Sequence, residues 1–145
     1  MPAICRFERC KLHLVFTDEY ISRERLDPRI LWITLINRGY LDYTRNFLRS
    51  ARRSAVPIRL IVYCTDEESL RELEGEDGCV ALPAEFLDAQ YARDLREWSD
   101  REYKRIVFAK LDAIAHTMRS SDDPDRLIAY IDTDIVLFSD PTPHV

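Results

Sequence analysis

The sequence predicts an α/β domain built on a mostly parallel sheet, and three observations carry that expectation. From residue 30 onward apolar strand patterns alternate with helical ones, the order that a parallel sheet with helical crossovers requires. Two of the strands, Ile30–Ile36 and the run 127–138, are almost unbroken in apolar character or interrupted only by carboxylates, which fits strands covered on both faces. The 145 residues and 46% hydrophobic content suit one domain with a substantial core.

Taken in order, residues 1–29 read as an N-terminal extension, with a short strand expected at Leu12-His13-Leu14-Val15-Phe16 and a charged connector ending at Asp27-Pro28-Arg29. The first strand of the domain, Ile30–Ile36, is stopped by Asn37-Arg38-Gly39. A helix follows, because Tyr40, Leu41, Thr44, Phe47, Leu48 and Ala51 recur at three- and four-residue spacing while Arg45, Arg49, Arg52 and Arg53 take the other faces. Val56-Pro57 ends it. A second strand is expected at 58–63, then a capping box with Thr65 as N-cap and Glu68 at the third helical position, opening a helix that runs to about Glu74. Gly75 and Gly78 bracket an acidic turn, and 79–82 reads as a short third strand closed by Pro83. Residues 84–98 are charged and aromatic and read as loop. Ser99 or Asp100 caps a long helix through about Arg119, and Asp122-Asp123-Pro124 separates it from the last strand.

That last strand carries the chemistry. Five uncharged residues precede Asp132 and four apolar residues follow Asp134, so two carboxylates lie in an apolar setting. Burying an unpaired carboxylate costs several kcal/mol, which places the pair at the strand's carboxyl end, facing a crevice. Carboxylates two residues apart can converge on one hard cation while Thr133 points elsewhere; Mg²⁺ or Mn²⁺ suits such oxygen ligands. The long helix adds one anomaly. Its expected apolar stripe is Tyr103, Ile106, Val107, Leu111, Ile114 and Met118, and Lys110 falls inside it, in a chain with only three lysines. Lys110 is either a side chain snorkelling at the stripe's edge or a cation aimed at an anionic ligand beside Asp132 and Asp134.

Other chemistries find no support in the inventory. A net charge of -5, without a basic run interleaved with aromatics, argues against a nucleic-acid partner. No stretch approaches the roughly 20 apolar residues of a membrane span, and the charged N-terminus lacks a signal-peptide core, so the chain as given reads as cytoplasmic. Cys5, Cys10, Cys64 and Cys79 lack zinc-site spacing and read as free or buried thiols, with a Cys5–Cys10 link as the alternative. The three glycines form neither a phosphate loop nor a dinucleotide fingerprint, and His13, His116 and His144 read as surface residues without a partner nucleophile. A carboxylate-held divalent metal plus one lysine remains, a combination suited to a diphosphate.

Taken as an ordered set, the runs from Thr34 to Tyr40, from Asn46 to Ser50 and from Ile61 to Asp66, then Lys110, then Tyr130-Ile131-Asp132-Thr133-Asp134-Ile135-Val136 and Asp140-Pro141, resemble the nucleotide-diphospho-sugar transferase family of GT-A glycosyltransferases. The resemblance covers about residues 30–142. It implies a Rossmann-like, three-layer α/β/α GT-A fold over residues 30–145 and a UDP- or GDP-sugar donor, with the acceptor left open. It implies that Asp134 is a direct ligand of Mn²⁺ or Mg²⁺ on the donor diphosphate, with Asp132 nearer the ribose and metal. It further implies that Leu35, Asn37 and Tyr40 hold the base, that Asp66 is a similar donor-binding candidate or a purely structural helix residue, and that Lys110 reaches the donor.

Domains of that family continue well past the carboxylate pair, so the chain is expected to be the donor-binding half, truncated after the Asp-X-Asp motif. Catalytic residues and the acceptor wall would then lie beyond Val145. Such a fragment is expected to expose an apolar edge at 135–138 and to self-associate, and a longer parent with an anchor would place it in the Golgi or another secretory lumen. Two other readings compete. A haloacid-dehalogenase-type phosphotransferase also uses Asp-X-Asp, but this chain has Val136 where that family usually has Thr. The other is a non-catalytic nucleotide-binding or interaction module.

Overall fold

Strand β1, Ile30–Ile36, is buried along its whole length, as an uncharged run in the middle of a sheet must be. In the computed structural model, which describes residues 26–87, 101–141 and 143, the elements that follow are α1 (Leu41–Arg53), β2 (Leu60–Cys64), α2 (Glu67–Glu72), β3 (Cys79–Pro83), α3 (Arg101–Ser120) and β4 (Leu127–Tyr130). The four strands form one all-parallel sheet in the order β3-β2-β1-β4. Trp32 pairs with Leu60 on one side of β1 and with Ala129 on the other. The expected strand at 12–16, the Ser99 or Asp100 cap, Cys5, Cys10, His13 and His144 lie outside the described residues, as does most of the 84–98 loop.

Side chains of each strand alternate between two cores. Ile30, Trp32 and Ile36 join Leu60, Val62 and Cys64 beneath Leu41, Phe47, Leu48 and Ala51 of α1, with Leu73 after α2. Ile33 and Leu35 join Ile61 and Tyr63 beneath Ala109 and Ala113 of α3. Helices therefore cover both faces, giving three α/β/α layers of Rossmann-like type.

Helix α1 follows the expected stripe: Leu41, Thr44, Phe47, Leu48 and Ala51 are its buried residues. A single 3-10 turn, Arg38–Tyr40, leads into it. It stops in a Schellman arrangement, in which the Val56 amide donates to the Ala51 carbonyl and the Ala55 amide to Arg52, with Ala55 in the left-handed region at φ 51°. The Ile58 amide then turns back to the Val56 carbonyl, and the first bond across to the β3 side is from the Leu60 amide to Gly78, so β2 begins at Leu60 rather than at the expected 58.

Two expectations are overturned. Of the expected stripe on α3, Val107, Leu111 and Met118 are exposed, Leu111 by 61%, and Ile114 is half-buried against the core, while among the described side chains the buried positions are Ala109, Ala113, Thr117 and Ser120. Small side chains let the helix lie close over the sheet, where Tyr63 rises between them and its hydroxyl meets the Thr117 hydroxyl at 3.0 Å. His116, expected at the surface, is half-buried and stacks on Phe86 with ring centroids 4.5 Å apart.

The run 127–138 is likewise not one strand covered on both faces. Pairing ends at Tyr130, β4 lies at the edge of the sheet formed by the described residues, and Leu127 is 49% exposed. Beyond it the chain crosses onto α1, where the Leu137 amide donates to Ser50 Oγ at 2.9 Å and Ser54 Oγ donates to the Leu137 carbonyl at 2.7 Å. Ile131 and Leu137 pack on the α1 core, while Ile135, Val136 and Phe138 are exposed, the last by 87%. Among the described residues no helix is long and apolar enough to cross a membrane.

These burial differences set two measurable expectations. Phe47→Ala should cost about 3–5 kcal/mol and Leu111→Ala less than about 0.5 kcal/mol in urea unfolding, although both count equally as apolar helix positions in the sequence. Burial also pushes the Cys64 thiol from 9.0 up to about 12 and the Cys79 thiol up to about 11, helped by the Asp66 and Glu76 carboxylates respectively. A raised folded pKa stabilises fully below the unfolded value and loses that contribution on the way to the folded one. The urea midpoint should therefore fall as pH rises from 9 towards 12.

Candidate functional site

From β1 the sheet grows in two directions: β2 and β3 follow on one side, and the chain then returns to lay β4 on the other. The carboxyl ends of β1 and β4 thus flank a topological switch point, where open α/β sheets bind their ligands. A crevice of about 30 Å³ opens there, with Leu35, Asn37, Tyr40, Lys110 and Asp132 among its walls.

The crevice exists because the two strands are unequal. The β1–β4 ladder runs from the Ile30–Leu127 pair to the Ile33–Tyr130 pair, and its last bond joins the Ile131 amide to the Ile33 carbonyl. β1 continues for three residues, so the Leu35 amide faces a position that has no strand. Tyr130 fills that position with a side chain: its hydroxyl accepts the Leu35 N–H at 3.1 Å. Burial pushes the hydroxyl from 10.0 up to about 12, against the downward pull of its hydrogen bond to Leu35, so it stays protonated at neutral pH. Sequence patterning gave Tyr130 no role beyond its strand; its one polar tip in an aliphatic run was the available signal.

Loop geometry on the β1 side is fixed locally. Asn37 is buried, its side-chain oxygen accepts the Gly39 amide at 3.0 Å, and its carbonyl accepts the Tyr40 amide at 3.0 Å. Thr65, at the end of β2, donates both its amide and its hydroxyl to the Ile36 carbonyl, which ties the ends of the two strands together.

Asp66 takes a different place from the other candidates. It, not Thr65, is the N-cap of α2: its carboxylate accepts the Ser69 amide and the Arg38 amide at 2.8 Å each and the Ser69 hydroxyl at 3.1 Å. A one-residue shift of the cap is decided by Thr65 turning back to Ile36. Asp66 therefore positions the loop after β1, and it lines a neighbouring groove with Cys64, Leu70 and Pro83 rather than the crevice.

On the other side, α3 brings Lys110 to the crevice. Its ammonium donates to Asp132 Oδ1 at 2.5 Å and lies 5.5 Å from the centre of the Tyr130 ring, within cation–π range. The Asp132 side chain is still 56% exposed. Thr133 points the opposite way and is buried, with its hydroxyl 3.1 Å from that of Thr44, which donates to the Tyr40 carbonyl. This pins the turn to α1 between the two carboxylates. Asp134 is exposed, and no hydrogen bond or ion pair joins it to another described residue.

The donor set is thus two carboxylates on one turn, one of them already holding a cation in the form of the Lys110 ammonium. Among the described residues no group of three or more ligating side chains exists. Asp132 lines the crevice and Asp134 is not among its walls; for the two to share Mg²⁺ or Mn²⁺, phosphate oxygens and water would have to complete the shell.

Comparison with protein-family models, with curated proteins and with solved structures gave no match. Tyr130→Phe should leave the Leu35 amide without its acceptor, lowering unfolding free energy by about 1–3 kcal/mol as measured by urea denaturation.

Proposed function

We propose that the crevice binds a nucleoside-diphosphate sugar with Mn²⁺ or Mg²⁺ and that the protein acts as a glycosyltransferase. One observation carries this reading: Lys110 from α3, Asp132 after β4, Leu35 near the end of β1 and the Asn37–Tyr40 loop after it converge on the switch point of a parallel sheet. Leu35 lines the crevice, a base can lie against the fixed loop around Asn37, and the Tyr40 ring offers an adjoining aromatic surface. Asp132 and Asp134 would hold the metal, and Lys110 is placed to meet phosphate oxygens.

In glycosyl transfer the bond from the anomeric carbon to the diphosphate breaks, and negative charge develops on the leaving diphosphate. The metal, when bound, neutralises part of that charge. Lys110 contributes a cation to the same group and, with one face against the Tyr130 ring, is held in a defined direction rather than freely solvated. The exposed side of Asp132 leaves room for ribose or metal. An acceptor is not identified by these residues.

Calorimetry with UDP and with GDP tests the reading directly. Affinity should be present with Mn²⁺ and fall at least tenfold with EDTA, and Asp134→Ala in the presence of Mn²⁺ should remove most of it. Equal affinity with and without the metal would overturn the assignment. Release of sugar from the bound donor, followed over time, separates an enzyme from a module that only binds.

A further inference from the structure

The pair formed by Lys110 and Asp132 has a second consequence for this site, which rests on the nucleoside-diphosphate reading. We propose that Lys110 is a built-in surrogate cation that occupies Asp132 in the free protein, and that ligand binding exchanges this one ion pair for two: Asp132 with the metal and Lys110 with the diphosphate.

Three features of the geometry support the exchange. The Lys110 ammonium lies 2.5 Å from Asp132 Oδ1, which places it in the region of the carboxylate that a divalent cation would also occupy. The pair joins α3 to the turn after β4, and both residues wall the crevice, so opening the pair turns both charges towards an entering ligand. The ammonium also has somewhere to go without losing its support, because the Tyr130 ring beneath it is fixed by the Leu35 amide and not by Asp132.

Charge bookkeeping gives the functional result. A metal arriving alone must displace a charge-assisted hydrogen bond and leave the ammonium unpaired. A diphosphate arriving alone meets Asp132 and Asp134 with no cation added. Arriving together, they satisfy all three side chains, so metal and diphosphate bind cooperatively and the site discriminates against either by itself.

Lys110 variants test this through effects of opposite sign. Binding of Mn²⁺ alone is read from the loss of its free-ion electron paramagnetic resonance signal, and binding of UDP with saturating Mn²⁺ by calorimetry. Lys110→Met should bind Mn²⁺ alone roughly three- to fivefold more tightly than the parent, since the competitor is gone. The same variant should bind UDP with Mn²⁺ about tenfold more weakly or worse, since the diphosphate loses its ammonium. Lys110→Arg, which keeps both charge and reach, should show no tightening for Mn²⁺ alone, and this holds even if the methionine variant is poorly folded. If the parent binds UDP with Mn²⁺ but Lys110→Met binds Mn²⁺ alone no more tightly, the exchange is wrong while the nucleotide reading stands. If the parent binds neither Mn²⁺ nor UDP, the nucleotide reading fails and the exchange fails with it.

Discussion

The mismatch in length between β1 and β4 is the constraint on which the rest of the site depends. Backbone pairing between them stops at Ile33 and Tyr130, yet β1 runs on to Ile36. A parallel strand left unpaired inside a domain would strand buried amides. Here a phenol, not a backbone, meets the Leu35 amide, and that substitution converts what would be continuous sheet into an open crevice. The same ring then serves as the floor under Lys110. One tyrosine thus closes the backbone account of the central strand and orients the cation of the site.

Threonine and serine hydroxyls perform a related task on the α1 face. Thr133 to Thr44, Leu137 to Ser50 and Ser54 to Leu137 fasten the segment after β4 along three turns of one helix. Without such contacts an edge strand of four residues would release the turn bearing Asp132 and Asp134 into solvent. Asp132 stays at the crevice because the residue after it is buried, so Thr133 is as necessary to its placement as the strand that precedes it.

Much of the fold was legible in the sequence because its signals were of the kind that burial enforces. The unbroken apolar run Ile30–Ile36 and the periodic stripe of α1 are both observed as the sequence predicts. Lys110 and Asp132, singled out by their apolar settings, and Leu35, Asn37 and Tyr40, implied by the family resemblance, line one crevice. What could not be read depends on shape rather than polarity. The buried positions described on α3 are alanine, threonine and serine, which a search for large apolar residues passes over, and one of them, Thr117, meets the Tyr63 hydroxyl. The end of β4 was hidden because Ile131, Ile135, Val136, Leu137 and Phe138 look alike in sequence, whereas only Ile131 and Leu137 find a core. Asp66 could be placed beside the site by its position but not excluded from it, since nothing in the sequence says that Thr65 turns back to Ile36 and passes the cap on.

The edge position of β4 bears on the order in which this protein loses its parts. Among the described residues β4 has one neighbouring strand, whereas β1 and β2 are each flanked on both sides and buried along every residue. Amide protons of β4 and of the turn after it should therefore exchange with deuterium through local opening, well below the free energy that unzips the β3-β2-β1 unit. The carboxylate turn can then detach and redock while most of the backbone stays native. Far-ultraviolet dichroism, which counts secondary structure, would register almost nothing of such an event, and a sample could look fully folded while its candidate site is dismantled.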